Sequence, residues 1–325
     1  MIDRRLLLVT TATLALMPSL ALAQEKYPSR PITLMLPYAA GGGTDVIARV
    51  FAKVLEERLG GTIVVDNRPG GAGVIATEAT GNAKADGYAL LIGNQGPMVV
   101  TPQLIKKDKA DPTLVLEPVA LIAEAPLVIV VGPKLAVKTL SELVAAAKAK
   151  PTELVYASAS NASASHLAAL LLDRAAGIKT RHVAYRGAGP ALNDLVGGHV
   201  DFMITTLPSA MGLIEGRNVT ALAVTGAERS TILPNVPTAI EAGVAGFTAS
   251  TWYGLMVPKG IPADIRATLE KAVGEALKNP ELLKRLKEDG AAPSDMRAEA
   301  FAKFMAEERK RWGEVIATAN ISLKE

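Results

Sequence analysis

The sequence predicts an α/β protein built on mainly parallel sheets and divided into two lobes. Short apolar runs of strand length alternate along the whole chain with stretches whose apolar residues recur at i, i+3 and i+4, the periods of strands and amphipathic helices. Glycine-rich turns separate the two kinds of segment, and a strand–helix–strand unit of this kind pairs its strands in parallel through a right-handed crossover. With 325 residues, 49% of them hydrophobic, the chain can fill one large core or two medium ones, and two lobes is the expectation at this length.

The elements follow in order. After an extended segment at Tyr27–Pro31, the run from Ile32 to Pro37 reads as the first strand. Gly41-Gly42-Gly43 then turns the chain into a helix from Thr44, with Val46, Ile47, Val50, Phe51, Val54, Leu55 and Leu59 on one face and Gly60-Gly61 as its stop. Ile63–Val65 is a second strand, followed by a helix over Val74–Asn82 and strands at Ala89–Gly93 and Pro126–Val131. Thr139-Leu140-Ser141-Glu142 is a capping box opening a helix that runs to about Lys150. Next come a strand at Val155–Ala157, a Ser/Ala/Asn loop, a helix around His166–Arg174, a strand at His182–Tyr185 and a helix at Pro190–Val196. Strands at Val200–Thr205 and Thr220–Thr225 complete the middle of the chain. Towards the C-terminus, Pro262 sits where a first helical position belongs, and Ile265, Leu269, Val273 and Leu277 form a stripe. Aromatic residues make up only 4% of the chain, so Phe301, Phe304 and Trp312, with Met305, Val315 and Ile316, predict a last helix that packs back on a lobe rather than engaging a partner.

Composition removes several functional classes. Lys and Arg number 35 against 32 Asp and Glu, a net charge of +3, which gives no electrostatic footprint for nucleic acid. The absence of cysteine excludes disulfides, thiolate zinc sites, iron–sulfur clusters and a cysteine nucleophile. Met1–Ala23 carries Arg4 and Arg5, an apolar stretch at Leu6–Leu16 and the small-residue pattern Ala21-Leu22-Ala23, the three parts of a secretory signal peptide cleaved after Ala23. Its apolar core is about half of the ~20 residues that span a bilayer, so no membrane insertion is expected once it is removed. An exported chain without disulfides must draw its stability from core burial, which suits a bacterial periplasm. No GxSxG, SxxK or HExxH motif occurs, and His166, His182 and His199 lack metal-ligand spacing. No catalytic set, metal or cofactor is therefore predicted.

Four strand-to-helix loops could carry chemistry. The first holds Tyr38, Ala39, Ala40, Gly41, Gly42, Gly43, Thr44 and Asp45. Glycines there admit a ligand to the backbone, and the unpaired N–H groups of the first helical turn favour an anion. An ordinary tight turn capped by Thr44 or Asp45 is the alternative. Without a P-loop lysine, such a site suits a carboxylate better than a triphosphate. A β-branched residue at Gly42 is expected to block that approach, above all where φ is positive. The second loop, Gly71-Ala72-Gly73-Val74-Ile75-Ala76, matches GxGxxA, but Asp66–Gly70 intervenes where a dinucleotide fingerprint needs a tight turn, and no acid ends a strand about 20 residues on. The third holds Ser158, Ser160, Asn161, Ala162, Ser163 and His166, whose hydroxyls and amide can bond a polar ligand without adding charge. The fourth carries one cation, Arg186, which either pairs a carboxylate bidentately or faces solvent. Asn94, Gln95 and Thr205, at the ends of predicted strands, complete the candidate ligand-binding set.

Read together, these loops resemble the solute-binding receptors of tripartite tricarboxylate transporters, the Bug-type proteins. The likeness runs from about Tyr27 to the C-terminus and includes Tyr27–Ile32, Pro37-Tyr38, Gly42–Asp45, Asp66–Gly70, Asp86-Gly87-Tyr88, Tyr156-Ala157-Ser158, Tyr185-Arg186-Gly187 and Gly197–Asp201. Its most specific stretch is Ala223-Val224-Thr225, Arg229-Ser230, Leu233–Thr238 and Glu241-Ala242-Gly243, followed by Trp252-Tyr253-Gly254. The resemblance implies a two-lobed (type II) periplasmic binding protein fold, with each lobe a mainly parallel sheet flanked by helices and a ligand cleft between them. It places residues 24–124 plus 248–325 in the first lobe and 125–247 in the second, with crossing segments near Pro126–Val131 and Phe247–Tyr253. It implies a monomer that closes on a small organic acid, held by backbone amides and waters from the Tyr38–Asp45 and Ser158–His166 loops, and delivers it to the membrane permease subunits. The chain departs from the family pattern at Ser160 and Ala162, where glycines are common, at Ser165, where proline is frequent, and at Tyr38, often phenylalanine. Two other classes share the sequence features: a ligand sensor for a membrane histidine kinase, and an exported hydrolase or lyase using Asp45, His166 or Asp201.

Overall fold

A computed structural model describes residues 27–105 and 111–319; the predicted signal peptide, Met1–Ala23, lies outside them. Strand β1 (Ile32–Leu36) pairs in parallel with β2 (Ile63–Asn67) on one side and β3 (Ala89–Gly93) on the other. A 16-residue strand, β4 (Leu116–Val131), carries the chain from this region into the next. There β5 (Val155–Ser158) lies parallel to β6 (Arg181–Ala184) and β7 (Phe202–Thr206), while β8 (Thr220–Val224) pairs with β4. Strand β9 (Ser250–Pro258) brings the chain back, antiparallel both to β3 and to the first part of β4, and a two-residue β10 (Ala292–Pro293) pairs with β4 as well.

The sheet is therefore mixed. Helical crossovers impose parallel pairing within β1–β3 and within β5–β7. The crossing strands β4 and β9 run antiparallel because one takes the chain out and the other returns it. Two apolar runs, Val119–Ala123 and Leu127–Val131, make up most of β4. Glu117-Pro118 precede the first run and Glu124 and Pro126 break it from the second, so the full strand length is masked in the sequence.

Thirteen helical segments, counted with two short turns, surround the sheet among the described residues. Those of the first region are α1 (Gly43–Leu59), a 3₁₀ turn at Gly71–Gly73, α2 (Val74–Gly81), a π-turn at Gly96–Val100, α3 (Thr101–Leu104) and α4 (Pro112–Val115). The second has α5 (Leu140–Ala149), α6 (Ala164–Ala176), α7 (Ala188–Val196) and α8 (Leu207–Glu215). The chain ends in α9 (Ala263–Ala276), α10 (Pro280–Glu288) and α11 (Ala298–Ala319). The Thr139–Glu142 capping box is present at α5. Helix α7 begins two residues before Pro190, with Gly187 as its N-cap; a proline fits there because the first four N–H groups of a helix have no intrahelical acceptor. Pro262 is likewise the N-cap of α9 rather than its first residue.

The GxGxxA loop does not make the tight turn of a dinucleotide site. Gly70, Gly71, Ala72 and Gly73 all have positive φ, and a Cβ on Gly73 would overlap Pro97, so the glycines serve turn geometry and packing. One core joins Ile47, Phe51 and Leu55 of α1 to Leu269 and Val273 of α9. Helix α11 folds back as expected: Phe301, Met305 and Trp312 are buried against Trp252 and Met256 of β9. The Phe301 ring lies directly over Gly254, where any Cβ would strike it.

Beyond the crossing strands, Tyr156 stacks on His182 at 4.9 Å between ring centroids, and His182 on His166 at 4.1 Å. His182 Nε2 shares a 2.6 Å hydrogen bond with Ser158 Oγ, and the Ala162 N–H donates to His166 Nδ1 at 3.1 Å. Burial, and then the neighbouring His182, push His166 down to about 3, and burial pushes His182 down to about 4, from an ordinary value of 6.5. Both rings are thus neutral in the folded protein where an unfolded chain would take up protons. Stability is therefore fully present above pH 6.5 and falls as the pH drops towards 4, by up to ~1.4 kcal/mol per pH unit for each ring. Urea unfolding between pH 7.5 and about 5 is expected to show this decline, and His166→Gln to make it shallower; a flat profile would mean the rings are not held neutral.

Candidate functional site

The structure brings the first turns of four helices to one cavity. Gly42, Gly43 and Thr44 line it from the start of α1, Ser163, Ala164 and Ser165 from α6, Ala188 from α7, and Thr205, Thr206 and Ser209 from the junction of β7 with α8. Tyr38, Asn94, Leu127, Ala159, Thr251 and Tyr253 complete the wall, so among the described residues no Lys, Arg, Asp, Glu or His lines it. Its volume is about 40 Å³, where ~10–15 Å³ accommodates one water; this is room for a carboxylate-sized head and a little more.

The electrostatics come from the backbone. The N-caps of α1 and α7 are Gly42 and Gly187, with no side chain to accept from the first N–H groups, and that of α8 is Thr206, whose hydroxyl does not cap either. Helices of 17, 9 and 9 residues therefore point uncapped positive ends at the same space. Only α6 caps itself, through Ser163 Oγ and the His166 N–H. The Tyr253 hydroxyl is buried beside Thr206 and makes no well-aligned hydrogen bond among the described residues; burial raises its phenol, against a weaker pull from Thr206, and holds it protonated. A Cβ built on Gly43 would overlap Thr206 Oγ1 and come within 2.9 Å of the Tyr253 hydroxyl. The Gly43 N–H instead donates across the cleft to Ser209 Oγ at 2.6 Å, and that hydroxyl shares a 2.6 Å bond with Thr206 Oγ1.

The residues singled out in the sequence take three different positions. Tyr38, Gly42, Gly43, Thr44, Asn94, Ser163 and Thr205 line the cavity. Tyr38 donates to Asn94 Oδ1 at 3.0 Å. A second group builds the walls from behind. Burial raises the Asp45 carboxyl, but hydrogen bonds from Arg49, the Gly41 N–H and Asn67, with the Arg49 charge, outweigh that and hold it below its usual value. Asp45 thereby pins the first loop and does not face the cavity. Gln95 donates to Ser250 O and accepts from Thr251 Oγ1, stapling β9. Ser158 is occupied by His182 and Ser160 O, and His166 by the Ala162 N–H. Ala162 takes φ +59° and is fully buried, so the position common to glycine in the family keeps a left-handed backbone here with a methyl group.

A third group sits at the rim. Ala39, Ala40 and Gly41 meet Gly187–Gly189 of the facing lobe: the Ala39 N–H donates to Arg186 O at 2.8 Å, and a Cβ on Gly189 would strike Ala40 O at 2.5 Å. Gly41, not Gly42, has positive φ, +82°, so the obstruction expected at Gly42 comes instead from Ala188, 3.3 Å from a built Cβ. Ser160, Asn161 and the exposed Arg186 line an outer recess of about 690 Å³ that shares Tyr38 with the cavity. The sequence reading missed Thr206, Ser209, Thr251 and Tyr253. Thr206-Leu207-Pro208 carries a helix-start signal, a hydroxyl residue shortly before a proline, which marks the fourth helix end.

The sequence profile of the tripartite tricarboxylate transporter family receptor matches residues 47–321. The chain is 38% identical over 304 residues to Protein BugT of Bordetella pertussis (strain Tohama I), covering 92% of each chain. Among solved structures it is similar to R. palustris Rpa4515 with adipate (33% identity, TM-score 0.87, 91% of this chain and 99% of that one). It is similar also to MatC of Rhodopseudomonas palustris with bound malate (33%, TM-score 0.83, 89% and 100%). With its two-lobed periplasmic binding protein fold, the chain belongs to the tripartite tricarboxylate transporter receptor family.

Proposed function

We propose that this protein is a periplasmic receptor that captures a small organic carboxylate between its lobes and hands it to the membrane permease of a tripartite tricarboxylate transporter, without catalysing a reaction. The observation that carries this reading is the convergence of three uncapped helix N-termini on a cavity with no charged side chain in its wall. Such a cavity favours one anionic head and leaves it chemically unchanged. The head lies against the Gly43, Ala188 and α8 amides, with Tyr253 as a side-chain donor. Residues 24–124 plus 248–325 move as one lobe and 125–247 as the other, export ends with cleavage after Ala23, and the protein acts as a monomer.

The ligand body leaves past Tyr38 into the outer recess, where Arg186 is the cation. Adipate and malate, the ligands named for two relatives, are both diacids, and a diacid places its second carboxylate there. Arg186 is exposed, so this pairing adds at most ~1 kcal/mol, a few-fold in affinity.

Calorimetric titration of the mature chain with acetate, malate, adipate and citrate is expected to find at least one micromolar-range ligand. Gly43→Ala, which intrudes on the head site, is expected to weaken it about 100-fold or more while the protein stays folded. Binding unchanged in that variant would remove the α1 N-terminus from the site. Arg186→Ala is expected to weaken a diacid a few-fold and leave a monoacid unaffected; an unchanged diacid would return Arg186 to solvent.

A further inference from the structure

A second cavity, of about 480 Å³, lies against the crossing strands between α6 and α11, within the size range of small-molecule sites. Its walls are largely apolar: Ala168 and Leu171 of α6 face Trp312 and Val315 of α11. Of the residues lining it, only Ala164 also lines the carboxylate cavity, and the two sites have opposite electrostatic character. Into this one β4 contributes Glu124, half-buried, with no salt bridge and no side-chain hydrogen bond among the described residues.

The surrounding charges leave Glu124 uncompensated. Arg311, also on the wall, is committed to Glu308 at 2.8 Å and lies over the Trp312 ring at 5.3 Å. Glu308 accepts in addition from the indole N–H groups of Trp252 and Trp312, at 3.3 and 3.2 Å. Two carboxylates and one guanidinium leave one negative charge beside an apolar wall, an arrangement that is costly without a counterion. In keeping with this, burial and then the Glu308 charge push the Glu124 carboxyl above its usual value, against the weaker pull of Arg311.

We propose that this cavity is a second ligand site, for an organic ammonium ion with a compact apolar body. The ammonium group pairs with the Glu124 carboxylate, and the body fills the space between Leu171 and Trp312, whose indole adds to the attraction for a cation. Both lobes wall the cavity, so an occupant also holds them at the spacing seen here.

The test is calorimetric titration of the mature protein with 1-adamantylammonium chloride and with its neutral isostere 1-adamantanol. The ammonium is expected to bind with Kd below about 1 mM, and the alcohol at least about tenfold more weakly. Glu124→Gln, which keeps the shape of the side chain, is expected to abolish that difference, and Ala168→Phe, which fills the cavity, to abolish binding of both. No heat with the ammonium at about 10 mM, equal affinity for the alcohol, or wild-type affinity in Glu124→Gln would each overturn the proposal. If Ala168→Phe fails to fold, the ammonium-to-alcohol ratio and Glu124→Gln decide alone.

Discussion

Every helix begins with backbone N–H groups that its own turns cannot satisfy, and the cleft of this protein is organised around that requirement. Most helices meet it with a serine, threonine, aspartate or asparagine at the N-cap. Here α5 and α10 do so, through Thr139 and Asn279. The three helices aimed at the cavity do not: two carry glycine caps and the third a threonine whose hydroxyl turns to Ser209. The donors thus left over are partly met across the cleft, where Ser209 accepts from Gly43. In the proposed function, an anion supplied from outside completes the same set.

The rest of the structure serves the closeness of the two lobes at that point. Alanine and glycine face glycine along the seam from Ala39–Gly42 to Gly187–Gly189, and at Gly187 and Gly189 even one methyl group would collide with the opposite backbone. Small residues therefore let the lobes meet at van der Waals distance, which excludes water and strengthens the pull of aligned peptide dipoles. Behind the seam, β4 and β9 form a two-stranded bridge whose register runs from Leu116 to Pro126. Gln95 fastens its start at Ser250–Trp252 with three hydrogen bonds. Helix α11 then buries Phe301 and Trp312 against the bridge.

Much of this was legible in the sequence. The strand-to-helix position of Gly41–Asp45 marked the start of α1, whose Gly42 cap offers no side-chain acceptor, because glycine and a following amphipathic period leave local marks. The second loop was legible in place but not in detail. Its hydroxyls read as ligand donors, yet Ser163 and Ser165 bond each other and the Ser160 and Ala159 backbone, while Ser158 bonds His182 and Ser160 O, a network no spacing rule reveals. Asp45, Gln95 and His166 looked like site residues and stand behind the walls, since a polar side chain next to a ligand loop is as useful for fixing that loop as for touching the ligand. Thr206, Ser209 and Tyr253 escaped because they join the site only through the pairing of β7 and β9 with β4, a long-range register.

The central claim is that backbone amides at converging helix ends, and not a cationic side chain, hold the ligand's acid group. A crystal structure of the mature protein with a carboxylate that it binds tests this most directly. The account predicts carboxylate oxygens about 3 Å from the Gly43 N–H and from amides at the starts of α7 and α8, directly or through one water. A carboxylate paired only with Arg186, with the cavity between Gly43 and Tyr253 left to solvent, would contradict it.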